Sequence, residues 1–190
     1  MLTETELIKK LKKGDEQAIG ILLSRYSDRL LRIALGICGD RQVAEEVVQD
    51  TMLQACRKIH GFEEKAALST WLYRITVNLA KNRLRNNWFG RVIPWEQEKM
   101  NTLVAPTAEQ PEHEVIHDER RRQVLHDLQQ LPAKYREVLV LYYLEDLSIT
   151  QVSHILEQPE GTVKSKLSRG RTILKNRWLD KEGEIEHGCI

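Results

Sequence analysis

Two stretches of this chain concentrate cations with no acid to balance them. Ser69 to Arg91 carries Arg74, Lys81, Arg83, Arg85 and Arg91; Gly161 to Trp178 carries Lys164, Lys166, Arg169, Arg171, Lys175 and Arg177. Such groups attract phosphate, and the fork of an arginine can take both acceptors of a guanine edge. Phe62, Trp71 and Tyr73 lie in or just before the first stretch, and aromatics among cations can stack on unpaired bases. Taken singly, Trp71 reads better as a core residue, but Tyr73, two positions on, cannot share one buried stripe with it. Asn78 and Asn82, four apart with Lys81 between them, add polar reach on one helical face. A lone basic helix is usually a solvated face. Two acid-free ones point to nucleic acid.

Other chemistries find little support. Metal-dependent cleavage needs convergent carboxylates. Glu45 and Glu46 are adjacent, and Asp50 faces a different direction from Glu45. Tyr142 and Tyr143 sit in an apolar run and read as core rather than nucleophiles. The three cysteines, Cys38, Cys56 and Cys189, form no Cys-x-x-Cys pair, so neither a zinc ribbon nor a disulfide framework is expected. His187 beside Cys189 makes at most a weak metal pair. No catalytic residue, metal, cofactor or small-molecule substrate is predicted.

The elements that position these residues are helical. Strand-like alternation is nearly absent, while a 3.6-residue apolar period recurs. Thr3 and Glu6 have capping-box spacing for a short helix that Gly14 ends. Asp15 caps a helix with its stripe at Ile19, Leu22, Leu23, Tyr26, Leu30, Ile33, Ala34 and Ile37, which Gly39 stops. Asp40 starts another, running to Gly61. After a loop from Phe62 to Leu68, Ser69 caps a helix to about Asn87. From Trp88 to about His113 the pattern collapses around Pro94, Pro106 and Pro111, and Trp95 to Glu119 sets seven acids against Lys99. This reads as an extended acidic linker. Helices resume over 114–130, from Ala133 to Leu144, from Ser148, and from Thr162 to about Trp178. The expected fold is all-α: two small helical domains, residues 1–87 and 114–180, joined by linker 88–113 and followed by a tail, 181–190.

Ser148 to Arg177 reads as helix, short turn with Pro159 and Gly161, then helix. This is helix-turn-helix order, in which the second helix enters the major groove. At ~100° per residue, Val163, Leu167, Gly170 and Leu174 share one face and should pack on Val152, Ile155 and Leu156. The opposite face presents Ser165, Ser168, Arg169 and Thr172, with Lys164 and Arg171 towards its edges. Arg169 is placed for a guanine, and the late Lys175 and Arg177 for phosphate.

Four segments, in order, resemble a known family. Ser69-Thr-Trp-Leu-Tyr-Arg-Ile-Thr-Val-Asn-Leu-Ala-Lys-Asn82 looks like the promoter-melting and minus-ten segment of bacterial extracytoplasmic-function sigma factors. Ala44-Glu-Glu-Val-Val-Gln-Asp-Thr-Met52 resembles their core-polymerase-binding helix. Leu131-Pro-Ala-Lys-Tyr-Arg-Glu-Val-Leu139 and Gly161-Thr-Val-Lys-Ser-Lys-Leu-Ser-Arg-Gly-Arg171 resemble their minus-thirty-five domain. The resemblance implies a two-domain subunit that directs RNA polymerase to promoters. Glu45, Glu46, Gln49 and Asp50 would then face the clamp helices of the largest polymerase subunit. The loop Phe62 to Leu68 would hold a flipped base, with Trp71, Arg74, Asn78, Lys81 and Asn82 around it. Lys164, Ser165, Ser168 and Arg169 would read the minus-thirty-five element. The implied partners are core RNA polymerase, promoter DNA and an anti-sigma factor, often membrane-bound. Family members often carry an aromatic at the places of Met52 and Cys56, and Arg and Ala at those of Lys166 and Gly170.

The net charge of +1 fits this reading. A stand-alone repressor supplies its DNA affinity with its own cations, whereas a subunit of a larger enzyme can carry less charge. A polymerase-independent helix-turn-helix regulator remains an alternative, but it gives residues 40–87 no role. A nuclease or recombinase is the other. The acidic N-terminus, Met1-Leu-Thr-Glu-Thr-Glu, lacks the pattern of a signal peptide, and no apolar run approaches the ~20 residues that span a bilayer. The expected location is the cytoplasm.

Overall fold

The computed structural model describes residues 2–90 and 123–187, with side chains over 2–85 and 123–179. The regular elements among the described residues are all helical. They are α1 (Glu4–Lys12), α2 (Glu16–Cys38), α3 (Arg41–Lys58) with a 3₁₀ turn at Ile59–Gly61, α4 (Leu68–Gly90), α5 (123–129), α6 (Ala133–Leu139), α7 (Ile149–Leu156) and α8 (Glu160–His187). No helix among the described residues is long and apolar enough to cross a membrane. The expected linker beyond residue 90, the start of the helix expected over 114–130, and Cys189 lie outside the described residues.

The caps explain most boundaries. Thr3 and Glu6 form the reciprocal capping box at α1, and the Thr3 bonds hold the Glu6 carboxyl below its usual range. Asp15 accepts from the Gln17 and Ala18 N–H groups, and Asp40 from Val43. Gly39, at φ 77°, takes the left-handed turn that closes α2.

Four expected boundaries differ. α4 begins one residue before Ser69, which is not its cap: the Leu68 N–H is taken by the Glu4 carboxylate of α1 at 2.9 Å. α4 also runs on to Gly90, into the span read as linker. The helix expected through Leu144 changes at Val140 into a π-turn, Val140–Leu144. Thr162 is not the cap of the last helix, because the Pro159 carbonyl already accepts from the Thr162 and Val163 N–H groups.

α2, α3 and α4 pack on one another, and α1 covers one end through Leu7, Ile8 and Leu11. Leu22, Leu30, Ile33 and Ile37 of α2 meet Val47 and Ala55 of α3 and Leu72 and Val77 of α4 in one buried cluster. The second group, α5 to α8, closes around Leu131, Val138, Leu141, Val152, Ile155, Val163 and Leu167. The two groups are docked. α2 meets α6 and its π-turn, and α4 meets α7. A Cβ on Gly36 of α2 would lie 2.8 Å from Val140 and 3.1 Å from Leu144, so the backbones approach closely only because position 36 has no side chain.

Polar groups complete the joint. The last carbonyls of a helix lack partners within it and carry the negative end of its dipole. At the end of α2, the Gln129 side chain donates to the Gly36 carbonyl at 2.9 Å, and Arg136 donates to that of Ile37 at 2.6 Å. Arg136 also donates to the Gln129 and Leu131 carbonyls. It is only 8 % exposed, and burial pulls its pKa below the ordinary arginine value. Replacing Arg136 with Met leaves three carbonyls short of a donor. Chemical denaturation should show a loss of about 3 kcal/mol, whereas Lys134→Met, on the exposed side of α6, should leave stability within about 0.5 kcal/mol.

Candidate nucleic-acid interface

The α7–α8 pair is built by local rules. Ser148 and Gln151 form a capping box at α7. Glu157 closes α7 at φ 53°, and the Ser153 hydroxyl donates to the Gln158 carbonyl at 2.6 Å, fixing the turn. Thr150 then donates to the Glu160 carboxylate at 2.6 Å, tying α7 to the first turn of α8. Val163 and Leu167 are buried as the periodicity predicts, and so is Gly170. A Cβ on Gly170 would lie 2.9 Å from Leu139, so glycine lets α8 close on α6.

The outward face of α8 shows Lys164, Ser165, Ser168, Arg169, Arg171 and Thr172, all exposed. Arg169, Ser165 and the Ser168 hydroxyl have no polar partner among the described residues. Lys164 lies 4.0 Å from Glu160, and Arg171 donates to the Tyr143 hydroxyl at 3.5 Å. Thr172 turns its hydroxyl back to the Ser168 carbonyl, which favours a packing or phosphate contact over base reading. Lys166 does not belong to this face. It is half-buried, with its ammonium 3.2 Å from the buried Glu137 carboxylate.

On α4 the arrangement is different. Phe62 is buried against Trp71, ring centroids 5.0 Å apart, and Lys12 donates to the Phe62 carbonyl at 2.9 Å. Trp71 is half-buried and lines a cleft of about 590 Å³ with Phe62, Lys65, Arg74, His154 and Glu157. Tyr73 is 2 % exposed, so its ring belongs to the core and is not offered for stacking, and its influence raises the pKa of Arg29. Asn78 and Asn82 are exposed. Arg74 donates to the Glu157 carboxylate at 2.8 Å and to the His154 carbonyl at 2.6 Å. Lys81 lies 3.1 Å from the other oxygen of Glu137.

The acids of α3 are also engaged. Glu45 pairs with Arg41 at 2.8 Å. Arg83 of α4 reaches Glu46 at 3.2 Å and Asp50 at 2.7 Å, and its bond to Asp50 raises its pKa. Gln49 is exposed. Leu53, 54 % exposed, extends the same face, and sequence reasoning passed over it. Its signal was available, because position 53 falls out of phase with the buried Ala44, Val47, Met52 and Ala55. Glu137 and Glu157 were also missed, as was the pairing of the cation Arg83 with Glu46 and Asp50, since these contacts span more than thirty positions.

No group of three or more His, Cys, Asp or Glu residues suited to a metal occurs among the described residues. Burial pushes the Cys38 thiol up to about 11, which keeps it protonated at neutral pH. The site offers exposed cations, hydroxyls and amides, and a cleft lined by two aromatic rings.

Residues 22–89 match sigma-70 region 2, and residues 121–174 match sigma-70 region 4. The chain is 32 % identical to the ECF RNA polymerase sigma factor SigW of Bacillus subtilis, over 91 % of its own length and 95 % of that protein. It is 31 % identical to the ECF RNA polymerase sigma-E factor of Haemophilus influenzae, covering 93 % and 95 %. Among solved structures it is similar to CnrH in complex with the cytosolic domain of CnrY, with a TM-score of 0.69 at 21 % identity, covering 94 % of this chain and 97 % of that one. It is also similar to the sigma factor RpoE of Bartonella quintana in complex with the anti-sigma factor NepR, with a TM-score of 0.61 at 24 % identity, covering 83 % and 94 %. Two matched regions in the right order, together with relatives above 30 % identity over most of both chains, place this chain in the extracytoplasmic-function family of RNA polymerase sigma factors, subunits that direct transcription initiation.

Proposed function

We propose that residues 1–87 bind core polymerase and the minus-ten element, that residues 114–180 bind the minus-thirty-five element, and that the acidic segment 88–113 connects them, with 181–190 as a tail. The observation that carries this division is the outward face of α8, which is exposed, basic and held by a tightly capped α7. Arg169, Ser165, Ser168 and Lys164 meet base edges in the major groove, while Arg171 and Thr172 lie at the margin of the contact. Trp71, Arg74, Asn78, Lys81 and Asn82 meet the melted strand, with the Phe62–Leu68 loop beside them. Phe62 and Tyr73 serve there as packing. The α3 face of Glu45, Glu46, Gln49, Asp50 and Leu53 docks on polymerase.

The protein works in the cytoplasm, without cofactor or small-molecule substrate and without catalytic activity of its own. An anti-sigma factor, membrane-bound or not, is its proposed inhibitor. Recovery of core polymerase alone from extracts under every condition would argue against that partner.

Core polymerase supplemented with this protein should initiate at cognate promoters in vitro with no other sigma factor. Failure across a broad promoter library would sink the reading and favour the polymerase-independent regulator. Arg169→Ala should cost roughly 1–3 kcal/mol at cognate sites and relax preference at one base pair. A uniform loss across promoter variants would assign Arg169 to phosphate instead. Leu53→Ala should leave the fold intact and weaken core-polymerase binding by roughly 1–2 kcal/mol, read by competition for polymerase.

A further inference from the structure

The loop from Phe62 to Leu68 is gripped at both ends by one helix, α1. At the start of the loop, Lys12 donates to the Phe62 carbonyl at 2.9 Å and lies 3.6 Å from the Glu64 carboxylate. At its end, the Glu4 carboxylate accepts the Leu68 N–H at 2.9 Å. Glu4 and Lys12 are the first and last residues of α1, about 12 Å apart along its axis. α1 lies outside residues 22–89, the segment that matches sigma-70 region 2.

The loop does little to hold itself. Glu63, Glu64, Lys65 and Ala66 make no backbone-to-backbone hydrogen bond among the described residues. Glu64 sits at φ 57°, a left-handed conformation that a non-glycine residue keeps only where its surroundings hold it. Lys12 restrains the Glu64 side chain and the carbonyl two residues before it. Glu4 caps α4 from outside, its charge meeting the positive end of that helix and an N–H that the helix leaves unpaired. α1 can act as a brace because it is itself fixed. The Thr3–Glu6 box pins its start, and Leu7, Ile8 and Leu11 are buried in the core. Phe62 carries the restraint into the cleft, since Lys12 holds its carbonyl while its ring packs on Trp71.

We propose that Glu4 and Lys12 are positioning residues: α1 sets the shape of the Phe62–Leu68 loop for one unpaired base before the strand arrives. The proposal rests on the assignment of that loop to a flipped base. Neither residue touches the strand. A loop already in its bound shape gives up less freedom on capture. The brace therefore acts on affinity for the base inside the loop and not on affinity for the rest of the strand.

The test uses holoenzymes assembled from core polymerase and each variant. The probe is a fluorescent single strand bearing the non-template minus-ten sequence of a promoter that the wild-type holoenzyme selects. A matched set of strands replaces each base in turn with an abasic site, and anisotropy reads affinity. Lys12→Met and Glu4→Ala remove the two grips, whereas Lys12→Arg and Glu4→Gln keep a donor and an acceptor in place. Lys9→Met, at an exposed position of the same helix, controls for the lost charge.

Lys12→Met and Glu4→Ala should each weaken binding of the intact strand about fivefold, and Lys12→Arg and Glu4→Gln should recover most of it. On the strand that is abasic at the captured base, these variants and the wild type should bind alike. A loss that persists on that strand overturns the proposal, because it marks a phosphate contact or a damaged domain. Wild-type affinity of both Lys12→Met and Glu4→Ala for the intact strand overturns it too, as does an equal loss in Lys9→Met. Wild-type binding that ignores an abasic site at every position overturns the loop assignment itself, and this keeps the two failures apart.

Discussion

The unpaired carbonyls at the end of α2 are the constraint on which much of this structure depends. α2 runs through the middle of the first domain and is cut short at Gly39, leaving its negative dipole end near an apolar surface. Water is largely excluded there, so the carbonyls need donors from protein. Arg136 and Gln129, both from the second domain, supply them. A guanidinium in this position is desolvated, and its charge is made tolerable by three carbonyls and a helix dipole rather than by a carboxylate. The same residue ties down the turn before α6, so the fold of the second domain and its docking share one side chain.

Local features were readable because local physics controls them. The Thr3–Glu6 box, the Asp15 and Asp40 caps, the Gly39 stop and the inward stripe of Val163, Leu167 and Gly170 all depend on residues within a turn or two of each other. The exposed face of α8 was legible for the same reason. The differences arise where distant residues intervene. Ser69 has the chemistry of a cap, but Glu4 reaches Leu68 first. Tyr73 looked available because one stripe cannot hold both it and Trp71, yet α4 is packed on more than one side, and the buried side took the tyrosine. Val140–Leu144 reads as ordinary helix until the crowding of Gly36 against Val140 and Leu144 is seen.

The candidate site follows the same division. Which residue types could meet nucleic acid was visible in the charge runs. Which of them are free to do so was not, because Glu137 and Glu157 are unremarkable in sequence. Glu137 sits among apolar neighbours in α6 and could pass for a helix-surface acid, yet it becomes the meeting point of two lysines more than eighty positions apart. The near-zero net charge has a spatial meaning here: acids of one domain are spent on cations of the other.

Gly36 carries an implication for engineering. A glycine inside a helix costs about 1 kcal/mol relative to alanine, so α2 sacrifices local stability to admit a neighbour. Selection for heat resistance applied to the first domain alone would favour filling that position. The product would be a sturdier fragment that no longer fits the rest of its own chain. Optimising the parts of this protein separately therefore works against the whole.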